Sequence, residues 1–383
     1  MTSSAPLLAR LLGGICLLLT ACVAHAATYP MTVTDLAGRQ VTLPHEPQRI
    51  VLQDGRDLFS LALLDRENPF QRIVVWNNII KRSDPNTWNV FAQRWPKASQ
   101  QATDMQFGDD GDMNLEAVVA GKPDLLVFQL RARKSLEGAG VERKLAALQI
   151  PVIYIDSDLD PVANSQKSVA LLGQVLNREA RASEYLDFYK ARLAAVDELV
   201  AGQTKRPLVF VEAKAGQGGA SSCCFTHGDV YWGKLVQAAG GDNLGSQLLP
   251  GATGDVTLET VISRKPDVYV MSGTQFSGST SVSPPFGFGP TISQAAIDQS
   301  MARLLQRPGM AQLSATQQHR VFGIYHQFYA SSWNILAVEH LAQAFYPSAA
   351  QQLDPAASTR KLLGMTGLGD VPVQLFRQAP NRD

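Results

Sequence analysis

The sequence predicts an α/β protein of two lobes, each built round a parallel sheet, joined by one long helix. Three observations predict this. Short apolar runs alternate with helical stretches in both halves of the chain, the pattern of a parallel sheet covered by helices. A fifteen-residue unit occurs twice at domain-sized spacing. Between the two halves, one helical period runs unbroken over residues 179–201. In this reading the lobes are Rossmann-like and occupy residues 27–178 and 203–383, with the connecting helix at 179–202 and a targeting segment at 1–26.

The repeated unit is read directly. Residues 114–128 are NLEAVVAGKPDLLVF and residues 257–271 are TLETVISRKPDVYVM. Seven of the fifteen positions are identical, at a spacing of 259 − 116 = 143 residues. Repetition at that spacing marks a duplicated unit, since solenoid repeats are far shorter. Asn114 and Thr257 stand where helix caps stand. Proline ends each helix, and the apolar run that follows is a buried strand.

The other elements follow in order. Arg10, the apolar run at 11–19 and Ala24-His25-Ala26 form a cleavable export signal. The run is shorter than the ~20 residues that span a bilayer. Leu19-Thr20-Ala21-Cys22 offers a second processing route, lipidation at Cys22. Tyr29-Pro30-Met31-Thr32-Val33 begins the first strand. Residues 49–52, 72–76, 125–129 and 152–155 are strands of the first lobe, with helices at 57–64 and 142–148. Asp160-Pro161 starts a helix, a cap followed by proline at the first helical position. The connector carries its apolar residues Leu186, Tyr189, Leu193, Val196 and Val200 at helical spacing. In the second lobe the strands are 208–212, 267–271 and 320–325. Residues 272–290 form a Gly, Ser and Pro-rich loop punctuated by Phe276, Phe286 and Phe288. Residues 333–345 form a closing helix.

Composition narrows the function. Lys plus Arg equals Asp plus Glu at 34 each, which gives no support for nucleic-acid binding. Removing the signal leaves 383 − 26 = 357 residues, enough for two lobes with a core each. Of four cysteines, Cys16 and Cys22 lie in the signal. Cys223 and Cys224 remain, adjacent, in a chain read as exported, where disulfides persist. They form either a vicinal disulfide or two half-buried thiols.

The ordered set LPHEPQRIV, LEAVVAGKPDLLVF, a single crossing helix, LETVISRKPDVYV and a final helix resembles the periplasmic substrate-binding proteins of iron-siderophore, haem and vitamin B12 ABC importers. The resemblance spans nearly all of the mature chain. It implies a monomeric carrier and not an enzyme. Cargo would sit between the lobes, and the carrier would serve a membrane permease with its cytoplasmic ATPase. It also implies that Glu116 and Glu259, one per lobe, meet arginines of that permease. Physically, two carboxylates can register a partner at two points, or each can simply favour a helix N-terminus.

Ligands of parallel sheets sit beyond the strands' carboxyl ends, and here between two lobes. That rule selects Trp76, Asn77, Arg131, Arg133, Lys214, Gln275, Phe276, His326 and Tyr329. The aromatics can stack on planar groups, and the arginines can grip anionic oxygens bidentately. The chemistry fits an anionic or hydroxyl-rich iron(III) chelate. No covalent cofactor and no bare metal site are expected, because the histidines His45, His227, His319, His326 and His340 do not cluster in sequence. Haem and cobalamin are the alternative cargoes. A surface signalling or assembly factor on the same fold, or a thiol enzyme using Cys223 or Cys224 with His227, are the alternatives of other classes.

Overall fold

The computed structural model describes residues 28–107, 112–278 and 280–380. Residues 1–26, expected to be an export signal and carrying Cys16 and Cys22, lie outside the described residues. Just inside them, Met31–Thr34 pairs antiparallel with Gln40–Leu43 as a hairpin.

Two five-stranded sheets form the protein. The first runs in the order Thr103–Asp104, Ile73–Trp76, Ile50–Leu52, Leu125–Gln129, Val152–Ile155, and every pair is parallel. Its three inner strands and Val152–Ile155 are buried almost throughout, as helices on both faces require. The second runs Asp242–Asn243, Leu208–Glu212, Val268–Gly273, Val321–Tyr325, Phe376–Gln378. Its first four strands are parallel and the last is antiparallel.

The duplicated motif has the same anatomy both times. Asn114 caps the helix Leu115–Ala120 by accepting from the Ala117 N–H at 3.0 Å. Thr257 caps Leu258–Arg264 through the Thr260 N–H at 3.2 Å. The lysine of each Lys-Pro-Asp lies at positive φ, 46° at Lys122 and 50° at Lys265, which turns the chain out of the helix. Each aspartate then pins the beginning of a neighbouring strand. Asp124 accepts from the N–H groups of Gln48 and Arg49 at 2.8 and 2.9 Å, and Asp267 accepts from that of Leu208 at 2.9 Å. The repeat therefore encodes a cap, a stop and a strand register together.

The connecting helix, Glu179–Ala201, is 23 residues long. At 1.5 Å per residue it spans roughly 35 Å. Its first turn is tied to the first lobe, where Arg181 donates to the Leu64 carbonyl and to Glu67. Further along it is tied to the second. Tyr185 donates to the Ser332 carbonyl and Tyr189 to Asn334 Oδ1, both at 2.6 Å, and Arg192 pairs with Glu339. Both tyrosine rings are fully buried.

A second seam joins the lobes. Tyr325 donates to Asp84 Oδ2 at 2.5 Å, with Thr87 Oγ1 at 3.2 Å. Phe288 packs on Phe59 and Trp333, ring centroids 6.0 and 5.4 Å apart. The loop after Gly273 is thus mostly packed, with Phe276, Phe286 and Phe288 buried. Gly287–Phe288 pairs with Val373–Gln374. The chain beyond residue 347, silent in sequence, supplies the helix Pro355–Gly364 and the antiparallel edge strand.

Candidate functional site at the meeting strand ends

The carboxyl ends of the two sheets face each other. From the first sheet come Gln53–Asp57 after Ile50–Leu52, Asn77 and Asn78 after Trp76, Arg131 after Gln129, and Ser157 and Asp158 after Ile155. From the second come Lys214 after Glu212, Phe276 after Gly273, and the turn His326–Ala330 after Tyr325. Contacts across the gap fix the opposition. The Arg56 guanidinium bonds the Tyr329 hydroxyl and lies 5.1 Å from that ring's centroid. The Tyr231 N–H donates to the Asp158 carbonyl at 3.1 Å. Within the first lobe, Gly55 lets its loop lie against the loop after Trp76, since a Cβ there would sit 2.4 Å from the Asn77 carbonyl.

The floor on the first-lobe side is an ion network. Asp54 accepts from Arg56 Nε at 2.9 Å and from Arg131 Nη2 at 2.7 Å. Arg131 also bonds Asp158, and Arg56 makes a second bond to Asp54. Asp57 receives the Gln129 amide at 2.9 Å on both oxygens and the Ser157 hydroxyl at 3.2 Å. Burial and the nearby Asp54 charge push the Asp57 carboxyl up to about 8. Burial raises Asp158 to about 7, against the pull of Arg131. Burial acts on Asp54 in the same sense, but Arg56 and then Arg131 overcome it and hold that carboxyl well below the usual range.

The wall on the second-lobe side is aromatic and neutral. His326 stands between Phe276 and Tyr329, centroids 5.3 and 4.7 Å away, and its Nδ1 meets Ser272 Oγ at 2.9 Å. His227 stands 4.9 Å from Tyr231 and 5.6 Å from Tyr329, with Nδ1 accepting from the Trp232 N–H at 3.4 Å. Burial keeps both imidazoles uncharged, His227 lowered to about 3 and His326 also well below the ordinary value, with Lys214 adding to each. Because Nδ1 of His227 accepts, its proton sits on Nε2, which makes it a donor. His326 can donate from Nδ1 to Ser272 and keep a lone pair on Nε2. Only in that tautomer is His326 able to ligate a metal with an open position.

The residues selected from sequence separate into groups. Arg131, Lys214, Phe276, His326 and Tyr329 surround the meeting strand ends, with Asn77 half-buried beside Gly55 and Gln275 exposed next to Phe276. Trp76 is buried in the first-lobe core, packed edge-on against Phe70. Arg133 turns to Glu137 at 2.6 Å and to the Ala37 carbonyl. Lys214 lies 4.3 Å from the Phe225 centroid, and burial lowers its pKa. Arg131 is not an uncommitted cation, since two carboxylates hold it. Sequence reasoning passed over Asp54, Arg56, Asp57 and Asp158. The signal was present, because Asp54, Arg56 and Asp57 immediately follow a strand.

Two features lie outside this cluster. Glu116 and Glu259 are both exposed in the first turns of their helices, with no partner among the described residues. Glu259 borders a groove of about 490 Å³ with Thr257, Cys223 and Arg307. Cys223 and Cys224 are disulfide-bonded beside the buried Glu212, whose carboxylate takes Arg307 at 2.7 and 2.6 Å and the Tyr269 hydroxyl at 2.7 Å. No helix among the described residues is long and apolar enough to cross a membrane.

Comparison with known proteins follows the same outline. Residues 86–327 match the family described as periplasmic binding protein. A cobalamin-binding protein of Halobacterium salinarum is 24% identical over 250 residues, which is 64% of this chain and 59% of the relative. A vitamin B12-binding protein of Yersinia pestis is 28% identical over 168 residues, 43% of this chain and 54% of the relative. The chain thus spans between half and three-fifths of these curated relatives. Among solved structures, a TroA-like periplasmic binding protein FepB from Veillonella parvula superposes with a TM-score of 0.82 at 24% identity, covering 92% of this chain and all of that one. A molybdate periplasmic binding protein of Haemophilus influenzae gives 0.68 at 17% identity over 90% of this chain and all of that one. A periplasmic heme binding protein from Pseudomonas aeruginosa gives 0.52 at 19% identity, over 79% of this chain and 94% of that one. At these identities the structures establish the fold.

Proposed function

We propose a cargo and a destination for this chain, which belongs to the periplasmic binding protein family: it captures a ferric siderophore-type chelate and delivers it to the permease of an ABC importer. The observation that carries the reading is the opposition of the two sets of strand ends, bridged by Arg56 and Tyr329. Planar chelator groups stack on Phe276 and Tyr329. Tyr329, Gln275 and the Nε2–H of His227 offer hydrogen bonds. His326 can fill a coordination position that a chelator leaves open. The protein works in the periplasm after export, as a monomer that binds without turning its cargo over.

Delivery rests on Glu116 and Glu259. They are equivalent positions of the repeated unit, exposed, each at a helix start. A permease with arginines at matching spacing would be engaged at two points, which fixes orientation as well as contact.

A second reading, a cobalamin carrier, has its own support. The sequence relatives named above are cobalamin-binding and vitamin B12-binding proteins, and the cleft's arginines are already neutralised. Fluorescence titration of the purified mature protein with ferric siderophores, haemin and cyanocobalamin tests both readings. Saturable quenching by a ferric siderophore supports the first. Saturable response to cyanocobalamin alone moves the answer to the second. Tight binding of free ferric or zinc ion with no response to any of these complexes would end both.

A further inference from the structure

Resting on the carrier reading, we infer that this cleft selects metal complexes that are electrically neutral as a whole, and that it discriminates against polyanionic chelates. The inference comes from how the cleft's cations are spent. Arg56 is held by both oxygens of Asp54 and by the Tyr329 hydroxyl. Arg131 lies between Asp54 and Asp158. Arg82, beside Asn77, is held by both oxygens of Asp104 at 3.0 Å. Arg133 is paired with Glu137. Lys214, the remaining cation of the set, sits against the Phe225 ring and shares a 310 Å³ hollow with Asp255.

A polyanion entering here would have to take arginine N–H groups from Asp54 or Asp158. Those carboxylates are 3% and 1% exposed. A buried carboxylate stripped of its partner has no water to replace it, so the exchange is unfavourable. Asp54, which its arginines keep ionised, opposes an anion's approach. A neutral complex meets no such opposition. Its amide, hydroxamate or hydroxyl rim finds Tyr329, Gln275 and the His227 donor, and its apolar faces find Phe276 and the tyrosine ring. Sequence alone pointed the other way, because it shows arginines without showing which carboxylates reach them.

Three complexes of differing charge test this: a neutral ferric trihydroxamate, a trianionic ferric tricatecholate, and neutral cyanocobalamin. Each is titrated by calorimetry at 50 and 300 mM NaCl. A neutral complex should bind at least tenfold more tightly than the trianion, with less than a twofold change between the salt concentrations. Asp158→Asn, and separately Asp54→Asn, should shift the ratio of trianion affinity to neutral-complex affinity at least fivefold towards the trianion. Circular dichroism checks that each variant folds, and the wild-type ranking stands without them. Tighter binding of the trianion, or steep weakening of the neutral complex by salt, overturns the inference and leaves the carrier reading intact. Failure of all three complexes to bind overturns the carrier reading and this inference with it.

Discussion

Replacing Arg307 by methionine should be among the most costly single changes in the second lobe. Arg307 and Glu212 are 6% and 1% exposed. The pair is bidentate, at 2.7 and 2.6 Å. Arg307 also donates to the Ser222 carbonyl at 3.1 Å, so it steadies the loop that runs through Cys223 and Cys224 towards His227. Methionine fills much of the volume but leaves Glu212 with only the Tyr269 hydroxyl. Breaking one side of a buried pair costs about 3–5 kcal/mol. With a urea m-value of about 2 kcal/mol/M, the midpoint should fall by roughly 2 M. Arg133→Met is the control. The Arg133–Glu137 pair has side chains 36% and 46% exposed, and exposed pairs contribute about 0–1 kcal/mol. Adding Glu212→Gln to Arg307→Met removes the stranded charge and should restore all but about 1–2 kcal/mol. Urea unfolding followed by tryptophan fluorescence and far-ultraviolet circular dichroism reads all four proteins. A loss below about 1 kcal/mol in Arg307→Met, or no recovery in the double variant, would refute the reasoning.

Other outcomes follow from the same structure. The Asp57 carboxyl is raised to about 8 from an unfolded value of ~3.9; between these values the folded state holds more protons, so stability falls as pH rises through the window. Asp57→Asn should remove about 1–2 kcal/mol of the stability wild type gains between pH 8 and 6, and parallel pH profiles of the two proteins would count against it. Glu116→Ala with Glu259→Ala should leave cargo affinity within about twofold yet abolish uptake in cells, so equal uptake by wild type and double variant would sink the docking role. Two ties between the lobes, the connector and the Tyr325–Asp84 seam, imply small closure on binding; a large drop in radius of gyration on saturation, read by small-angle scattering, would argue against it.

The fold was legible because its signals are local. The alternating apolar runs gave the inner strands, and Asp160-Pro161 gave the start of Pro161–Val175. The same Asp-Pro signal occurs at Asp84-Pro85 and Asp354-Pro355, and both begin helices capped by the aspartate. It was overlooked there because no apolar period as clear as the connector's follows. The edge strand Phe376–Gln378 was illegible for another reason. It is short and only half-buried, and it is defined by the strand it pairs with. At the site, the strand-end rule found the second-lobe wall but missed the ion network. Whether an arginine is free or neutralised depends on carboxylates such as Asp158, 27 residues from Arg131 in sequence. Trp76 shows the converse. The residue ends a strand, but Phe70 and Trp88 enclose its ring.

The antiparallel strand at the end of the second sheet has a consequence for thermodynamics. It makes Val321–Tyr325 an interior strand, hydrogen-bonded on both sides, and the turn carrying His326 and Tyr329 leaves directly from it. His326 is already fixed by Ser272 and Tyr329 by Arg56. Each side chain frozen on association otherwise costs about 0.5–1.5 kcal/mol. A wall ordered beforehand avoids that loss, so affinity can be high with few contacts. Release would then depend on work done on the two lobes together, which the proposed permease contact at Glu116 and Glu259 would supply.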